Sequence, residues 1–531
     1  MNIISRLELV TESHPDKPAF IFFSPRNERW ETVTFQHLAD ETQRFATGLL
    51  ADGVTPGMTA ALMTPPSADF FALAFAMLKV GVVPIILDPA IGLQKISECL
   101  NESKPDIFIG NTPTHFLRII FGWGKDTVKH NLTIKSVKSK KLKSETPNSN
   151  LQLPITNSAA IIYTSGSTGI PKGVLYTHVN FAAQLDMLVE TFNISPDEID
   201  LPAFPLYALI DALIGVTSVI PDITFPVPGK TDPEKVLNAI RKFNVTNMFA
   251  SPVVLDILAN FQQQAAGLQS LKRIITAGAP ATIQLQEDFR KLLNDETDLF
   301  GIYGATEVLP IAKIESREIF EVREKSAKGA GVCLGKPVHG AKVRIIEISD
   351  SAIDQWQDDL QVKPNVVGEI TVQGAAVTEF YIKREEANRL SKIQAGDAII
   401  HRMGDVGYFD EQGWLWYCGR KSHRVITNEG VLFTEQIEGI FNVHPLVFRT
   451  ALVGVDQSPV LWVELKKGVR TNKDKIKSAL IELAKMHPQA SKIKEFLFMK
   501  KFPTDVRHNS KIIREDLAKL AARALRPFFL P

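Results

Sequence analysis

The apolar run Ala159-Ala160-Ile161-Ile162-Tyr163 leads directly into Thr164-Ser165-Gly166-Ser167-Thr168-Gly169-Ile170-Pro171-Lys172-Gly173-Val174. This junction constrains the fold more than any other stretch. The run reads as a buried strand entering a glycine-rich turn. Its three glycines let the backbone curl so that N–H groups converge on an anion, and the Ser and Thr hydroxyls add further donors. Lys172 supplies a positive charge at the far end. The segment is not the GxxxxGK[ST] phosphate loop, because no GK[ST] occurs and Pro171 precedes the lysine. A Ser/Gly surface turn is the competing reading.

The surroundings read as α/β. FQHLADETQRFATGLLADGV has helical apolar spacing and closes on Gly53, while TAALMTP and VVPIILDP read as buried strands flanking the helix SADFFALAFAMLKVG. The strand KRIITAG and the helix DPEKVLNAIRKF continue the alternation to about residue 310. From Gly335 to Tyr417, shorter strands (KVRIIEI, VGEITVQG, WLWYCG) separated by turn residues predict a β-rich subdomain. Beyond Gly419, EQIEGIFNVHP, TALVGV, LWVELKKG and DKIKSALIELAKMH predict a small α+β unit. The polar run 136–150 reads as a solvated linker, without the interleaved aromatics of a nucleic-acid patch. The glycine run GAGVCLG (329–335) reads as a strand-connecting turn rather than a dinucleotide loop.

At 531 residues, 45% hydrophobic and 22% charged, the chain is long enough for several sizeable cores and is neither fibrous nor disordered. A formal net charge of +1 gives no global field to draw nucleic acid or an anionic membrane. Cys99, Cys333 and Cys418 are too far apart for a CxxC pair, so neither a disulfide framework nor a zinc cluster is expected. The N-terminus lacks the basic and continuous apolar regions of a signal peptide. The apolar stretches Phe70–Leu87 and Leu201–Val227 are interrupted by Lys79, Gly81 and Pro84, and by Asp211 and several prolines. Both read as buried core rather than as membrane spans, which need about 20 apolar residues. A reducing, cytoplasmic location is expected, with no transmembrane segment and no nucleic-acid partner.

YTSGSTGIPKGV resembles the phosphate loop of the adenylate-forming superfamily, which includes acyl-CoA synthetases, peptide-synthetase adenylation domains and luciferases. Further family segments lie before and after it, in the family's order. LKVGVVPIILDP (78–89) is similar to an early strand–helix signature, and ITAGAP (275–280) and YGATE (303–307) to adenine-site segments. MGDVGYFDEQGW (403–414) resembles the ribose-binding turn, GRKSHRV (419–425) the hinge, and DVRHNSKIIREDL (505–517) the C-terminal lysine motif. The resemblance implies a large N-terminal adenylate-forming domain (1–419) of two α/β subdomains plus a β-rich one, and a small mobile α+β lid (420–531). It implies ATP and Mg²⁺ as cofactors. Thr164, Ser165, Gly166, Ser167, Thr168, Gly169 and Lys172 would hold the β- and γ-phosphates. Gly278, Ala279, Pro280 and Gly304 would border the nucleotide, with Tyr303 against adenine. Thr306 would bond the α-phosphate and Glu307 would bind Mg²⁺. Asp405 would clamp the ribose, Arg420 would reach ribose or phosphate, and Lys511 would contact the carboxylate and α-phosphate during adenylation.

Several positions depart from the common acyl-CoA synthetase pattern. Pro205-Leu206-Tyr207-Ala208 lacks the usual histidine, Lys421 to Gly430 replaces the usual hinge loop, Thr434 replaces a proline, and Ser510-Lys511 replaces glycine–lysine. The hinge normally builds the thioester-forming state, so CoA use is put in question. YGATEVLP, CGRKSHRV, LFTEQIEGIFNVHPLVFRTALVGV and DVRHNSKI instead resemble the β-lactone synthetases of bacterial long-chain olefin biosynthesis. That subgroup adenylates a fatty 2-alkyl-3-hydroxy acid and closes it to a β-lactone, releasing AMP and pyrophosphate. The resemblance leaves room for assembly with other enzymes of that pathway. A long-chain acyl-CoA ligase or acyl-AMP ligase is the alternative, and a non-catalytic nucleotide- or acyl-binding scaffold a third.

Overall fold

The computed structural model describes residues 2–25, 27–141, 156–164, 171–223, 227–261, 267–469, 472–504 and 511–525. Two large sheets dominate. The smaller has six strands in the order His130–Leu132, Ile107–Gly110, Thr59–Met63, Val83–Ile86, Ser158–Tyr163 and Gly173–Thr177. All its pairings are parallel except the last, where Ser158–Tyr163 and Gly173–Thr177 run antiparallel on either side of the glycine-rich loop. The larger sheet has 14 strands. Its parallel part includes Ile199–Pro202, Asn247–Ala250, Arg273–Thr276 and Asp298–Ala305. Its antiparallel part carries the β-rich region, joined through Val332–Pro337.

The helices Phe35–Ala51 and Ala68–Lys79 lie in a core cluster that draws residues from both sheets. Every residue from Phe70 to Leu78 is buried, so this helix is apolar all round because it is enclosed all round. Each of its large side chains contributes about 1.5–3 kcal/mol by leaving water. The second suspect stretch divides into the strand Ile199–Pro202, the helix Ala208–Ile214 and the strand Thr217–Ile220. Among the described residues, no helix is long and apolar enough to cross a membrane.

One expectation needs correction. The polar run 136–150 opens not as a loop but as the end of a helix, Ile134–Ser139. Thr133 and Ser136 form a reciprocal capping box, and Val137 is fully buried where its backbone abuts Gly48. A single apolar residue and a cap outweigh the lysine-rich composition. Residues 142–150 of the run lie outside the described residues. The glycine run 329–335, expected as a strand-connecting turn, instead leads from helix Ser316–Ala327 into strand Val332–Pro337, with Gly329 and Gly331 at positive φ in the turn and Gly335 at positive φ at an irregularity within the strand.

The C-terminal part is a small α+β domain. Val447–Val455, Ser458–Leu465 and Glu495–Met499 form a three-stranded sheet, flanked by Thr434–Asn442, Lys473–Lys485 and Arg514–Leu525. Helix Thr434–Asn442 packs against helix Ser316–Ala327 and strand Leu415–Arg420 of the large part. Arg514, half-buried here, pairs with Glu438 at 2.5 Å and lies 3.8 Å from Glu435. Burial raises the Glu435 carboxyl to about 7, against the pull of Arg514.

Candidate active site

Three of these parallel strands end at one level, with Asp298–Ala305 running four residues further, and the residues just beyond them, Ala203–Phe204, Ser251, Ala277–Gly278 and Thr306, all border a single cavity of about 1170 Å³. Ligands of open α/β sheets bind in this position, where strand ends leave the backbone free of ladder bonds. Thr164 and Lys172 reach the same cavity from the smaller sheet. Thr164 donates its N–H to the Lys172 carbonyl (3.0 Å), and its Oγ1 accepts the Lys172 N–H (3.1 Å), closing the base of the glycine-rich loop. Ser165, Gly166, Ser167, Thr168 and Gly169 lie outside the described residues.

One end of the cavity is charged. Lys172, Glu307, Arg384, Arg420, Lys421 and Lys511 all contribute to its wall. Glu307, from a segment distant in sequence to Lys172, accepts a hydrogen bond on Oε1 from the Tyr381 hydroxyl at 2.5 Å. Two ammonium groups stand over the Tyr381 ring, Lys172 at 4.8 Å and Lys392 at 5.6 Å from its centroid. Burial lowers both lysines, Lys392 to about 8, while Glu307 opposes the shift. Thr306 also lines the cavity, and its carbonyl accepts from Tyr176.

Asp405 is buried beside this end. Its Oδ2 accepts from the Tyr303 hydroxyl at 2.6 Å. Its Oδ1 lies 3.0 Å from the Arg420 guanidinium yet receives no aligned hydrogen bond, so an acceptor site there is unspent. Burial raises the Asp405 carboxyl, with Arg420 and Tyr303 pulling the other way. Gly304 and Arg420 line the cavity directly, whereas Asp405 sits behind them. The Tyr303 ring, expected against adenine, is turned toward Asp405 and the core, while its strand neighbours Ile302 and Gly304 face the cavity. Gly278, at φ +92°, forms part of the wall, but Ala279 and Pro280 do not.

Sequence reasoning missed Tyr381, Tyr176, Lys392 and Arg384, which carry no local motif. It also missed the buried Arg402–Glu369 pair at 2.6 Å, which Lys421 joins at 3.0 Å to Glu369. This ties the first hinge residue after Arg420 to the β-rich region. Gly419, at φ +132°, precedes it, and a Cβ there would collide with the Thr434 hydroxyl.

The other end is apolar, lined by Phe181, Phe204, Tyr207, Ile210, Ile223 and Phe249. Tyr207 and Phe249 stack at 3.6 Å between centroids. The two ends together can hold a polyanion and an alkyl group in one space.

The donor set suits a hard divalent cation bridging to phosphate. Glu307 is a single carboxylate with one oxygen engaged by Tyr381, and Mg²⁺ is commonly held by one or two carboxylates plus substrate phosphates. Among the described residues, no group of three or more His, Cys, Asp or Glu side chains forms an all-protein metal cage.

Residues 7–382 match the family model for AMP-binding enzymes. An olefin beta-lactone synthetase of Xanthomonas campestris pv. campestris is 41% identical over 510 residues, covering 93% of this chain and 91% of the relative. One of Stenotrophomonas maltophilia is 38% identical, covering 93% and 92%. Among solved structures, an amide bond synthetase from Marinactinospora thermotolerans superposes with a TM-score of 0.80 at 20% identity, covering 98% and 99%. The O-succinylbenzoate coenzyme A synthetase of Bacillus subtilis with AMP superposes at 0.76 and 23% identity, covering 96% and 97%. At those identities the structural likeness speaks to the fold alone. By the family match and the full-length relatives, the chain belongs to the AMP-binding, adenylate-forming enzymes.

Proposed function

We infer that this protein activates a long-chain fatty acid bearing a 3-hydroxyl as its acyl-adenylate and then closes it to a β-lactone. The observation that carries this reading is the single cavity that joins a wall of Lys172, Glu307, Arg420 and Lys511 to an apolar lobe. The two full-length relatives described as olefin beta-lactone synthetases support it.

In the first step a carboxylate oxygen attacks the α-phosphorus of ATP, the bond to the bridging oxygen breaks, and pyrophosphate leaves. Negative charge gathers on phosphoryl oxygens, so positioned cations do most of the work. Lys172 would neutralise the leaving pyrophosphate and Lys511 the α-phosphate and carboxylate, while Asp405 Oδ1 would accept from a ribose hydroxyl. Mg²⁺ held by Glu307 and the phosphates would supply further charge neutralisation when bound. In the second step the 3-hydroxyl oxygen attacks the acyl carbon, the acyl–phosphate bond breaks, AMP departs with the electron pair and the hydroxyl proton passes to the medium. Holding hydroxyl and acyl carbon together makes the attack intramolecular, at effective molarities of about 10⁵ M or more.

The lid is assigned to residues 420–531 and the large domain to 1–419. A cytoplasmic location and docking of other enzymes of the same pathway accord with this reading. The test is mass spectrometry of products from ATP, Mg²⁺ and a 2-alkyl-3-hydroxy acid, with and without CoA. Lactone, AMP and pyrophosphate at a rate unchanged by CoA are expected. Accumulation of acyl-CoA, including from the acid without a hydroxyl, would make the protein an acyl-CoA ligase instead.

A further inference from the structure

Ser251 occupies the N-cap of helix Pro252–Ala259, with cap-like dihedrals of φ −71° and ψ 157°, yet its side chain makes no capping bond. Elsewhere the chain caps in the ordinary way, as where Ser67 accepts from the Phe70 N–H at 3.2 Å. The Ser251 Oγ is buried, has no hydrogen-bond partner among the described residues, and belongs to a residue lining the cavity. A buried hydroxyl without a partner is costly unless a ligand supplies one.

Its place in the sheet says which part of a ligand it meets. Ala250 pairs with Thr276 and Phe249 with Pro202. Ser251 therefore emerges between Ala203–Phe204, where the apolar lobe begins, and Ala277–Gly278, on the nucleotide side. Phe249, two residues earlier, already stacks on Tyr207 in the lobe. The acyl carbon of an adenylate must lie where these two ends meet, and a 3-hydroxyl is only two carbons further along.

We propose that Ser251 is the residue that recognises the substrate's 3-hydroxyl, binding it by hydrogen bond and turning its oxygen toward the acyl carbon. The assignment rests on the lactone-forming reading and deepens it, since it makes the 3-hydroxyl a recognition element as well as the nucleophile. Discrimination of this kind is strong because a site built around a hydroxyl leaves polar groups unpaired when the ligand lacks it.

The experiment compares full-length wild type, Ser251→Ala and Ser251→Thr on a 2-alkyl-3-hydroxy acid and on the same acid without its hydroxyl. Pyrophosphate release and lactone are both measured, and melting temperatures check that each variant is folded. Ser251→Ala should lower kcat/KM for the hydroxy acid by about ten- to a hundredfold and leave the acid lacking a hydroxyl unchanged. Ser251→Thr, which keeps the hydroxyl, should recover most of the loss. Equal losses on both acids would reduce Ser251 to a packing residue, and no loss on the hydroxy acid would overturn the proposal. If wild type yields no lactone, the reaction assigned above fails. The ratio of pyrophosphate release from the two acids would still decide the role of Ser251.

Discussion

The two ends of the cavity are built in opposite ways. The apolar lobe draws most of its wall from one stretch of chain, roughly Ala203 to Ser251, folded into consecutive strand–helix units of the larger sheet. The charged end gathers Lys172, Glu307, Tyr381, Arg420 and Lys511, which are scattered over more than half the chain and both domains. The lobe can be tuned residue by residue with little effect elsewhere. The charged end is a network in which each group is held by another, so single substitutions there should cost more and be less additive.

The sharpest way to test that contrast is at Lys511, which the chain brings to the charged end from about ninety residues beyond the hinge. Lys511→Ala should lower pyrophosphate release by about 10²–10³, the cost of removing one transition-state donor, with far less effect on ATP affinity. Wild-type turnover would place Lys511 outside the chemistry.

Asp405→Ala comes next, because it removes the proposed ribose acceptor and leaves Tyr303 and Arg420 without their partner. ATP affinity measured by calorimetry should fall about ten- to a hundredfold, and an unchanged affinity in a folded variant would mean that Asp405 serves only to hold Arg420. Tyr381→Phe removes one hydroxyl and frees Glu307 Oε1. About a tenfold rise in the Mg²⁺ concentration needed for ATP binding is expected, the worth of one hydrogen bond to a charged group. If the Mg²⁺ dependence stays put, Glu307 does not need its phenol.

The smallest effect belongs to the lobe. Asp211 of its helix Ala208–Ile214 and Asp200 of the strand Ile199–Pro202 form a buried carboxyl pair, and Ser218 donates to Asp211 at 2.6 Å. Burial raises both carboxyls, Asp211 to about 7. A carboxyl raised on folding favours the folded state while protonated, so stability should decline as pH climbs from about 4, where the unfolded carboxyl ionises, through about 7. Asp200→Asn keeps the donor and removes one charge. Its melting temperature should fall less between pH 5 and 8, by about 1–3 °C. An identical slope would show that the pair is not what titrates.

Much of this was legible because local patterns carried it. The buried helix Ala68–Lys79, the strand entering the loop at Thr164, and the YGATE and GDVGYFDEQG segments all announce themselves within a dozen residues. The helix Ile134–Ser139 did not, since its cap and one buried valine are weak signals against a run of lysines. Tyr381 gave no sign either. It matters only because a strand register and the Asn388 side chain, which bonds both its N–H and its carbonyl, bring its hydroxyl onto a carboxylate 74 residues away.

Element order therefore came from the chain's own periodicity and glycines, which act over one or two turns or a few strand residues, and the expected chemistry from short motifs that resemble those of a known family. Three things were decided in tertiary space: the pairing of Glu307 with Tyr381, the turning of Tyr303 toward Asp405, and the unpartnered Ser251 hydroxyl between the two ends of the cavity. Each depends on which strand ends meet and at what register. That is settled by burying both sheets around shared helices, and no short window of sequence encodes it.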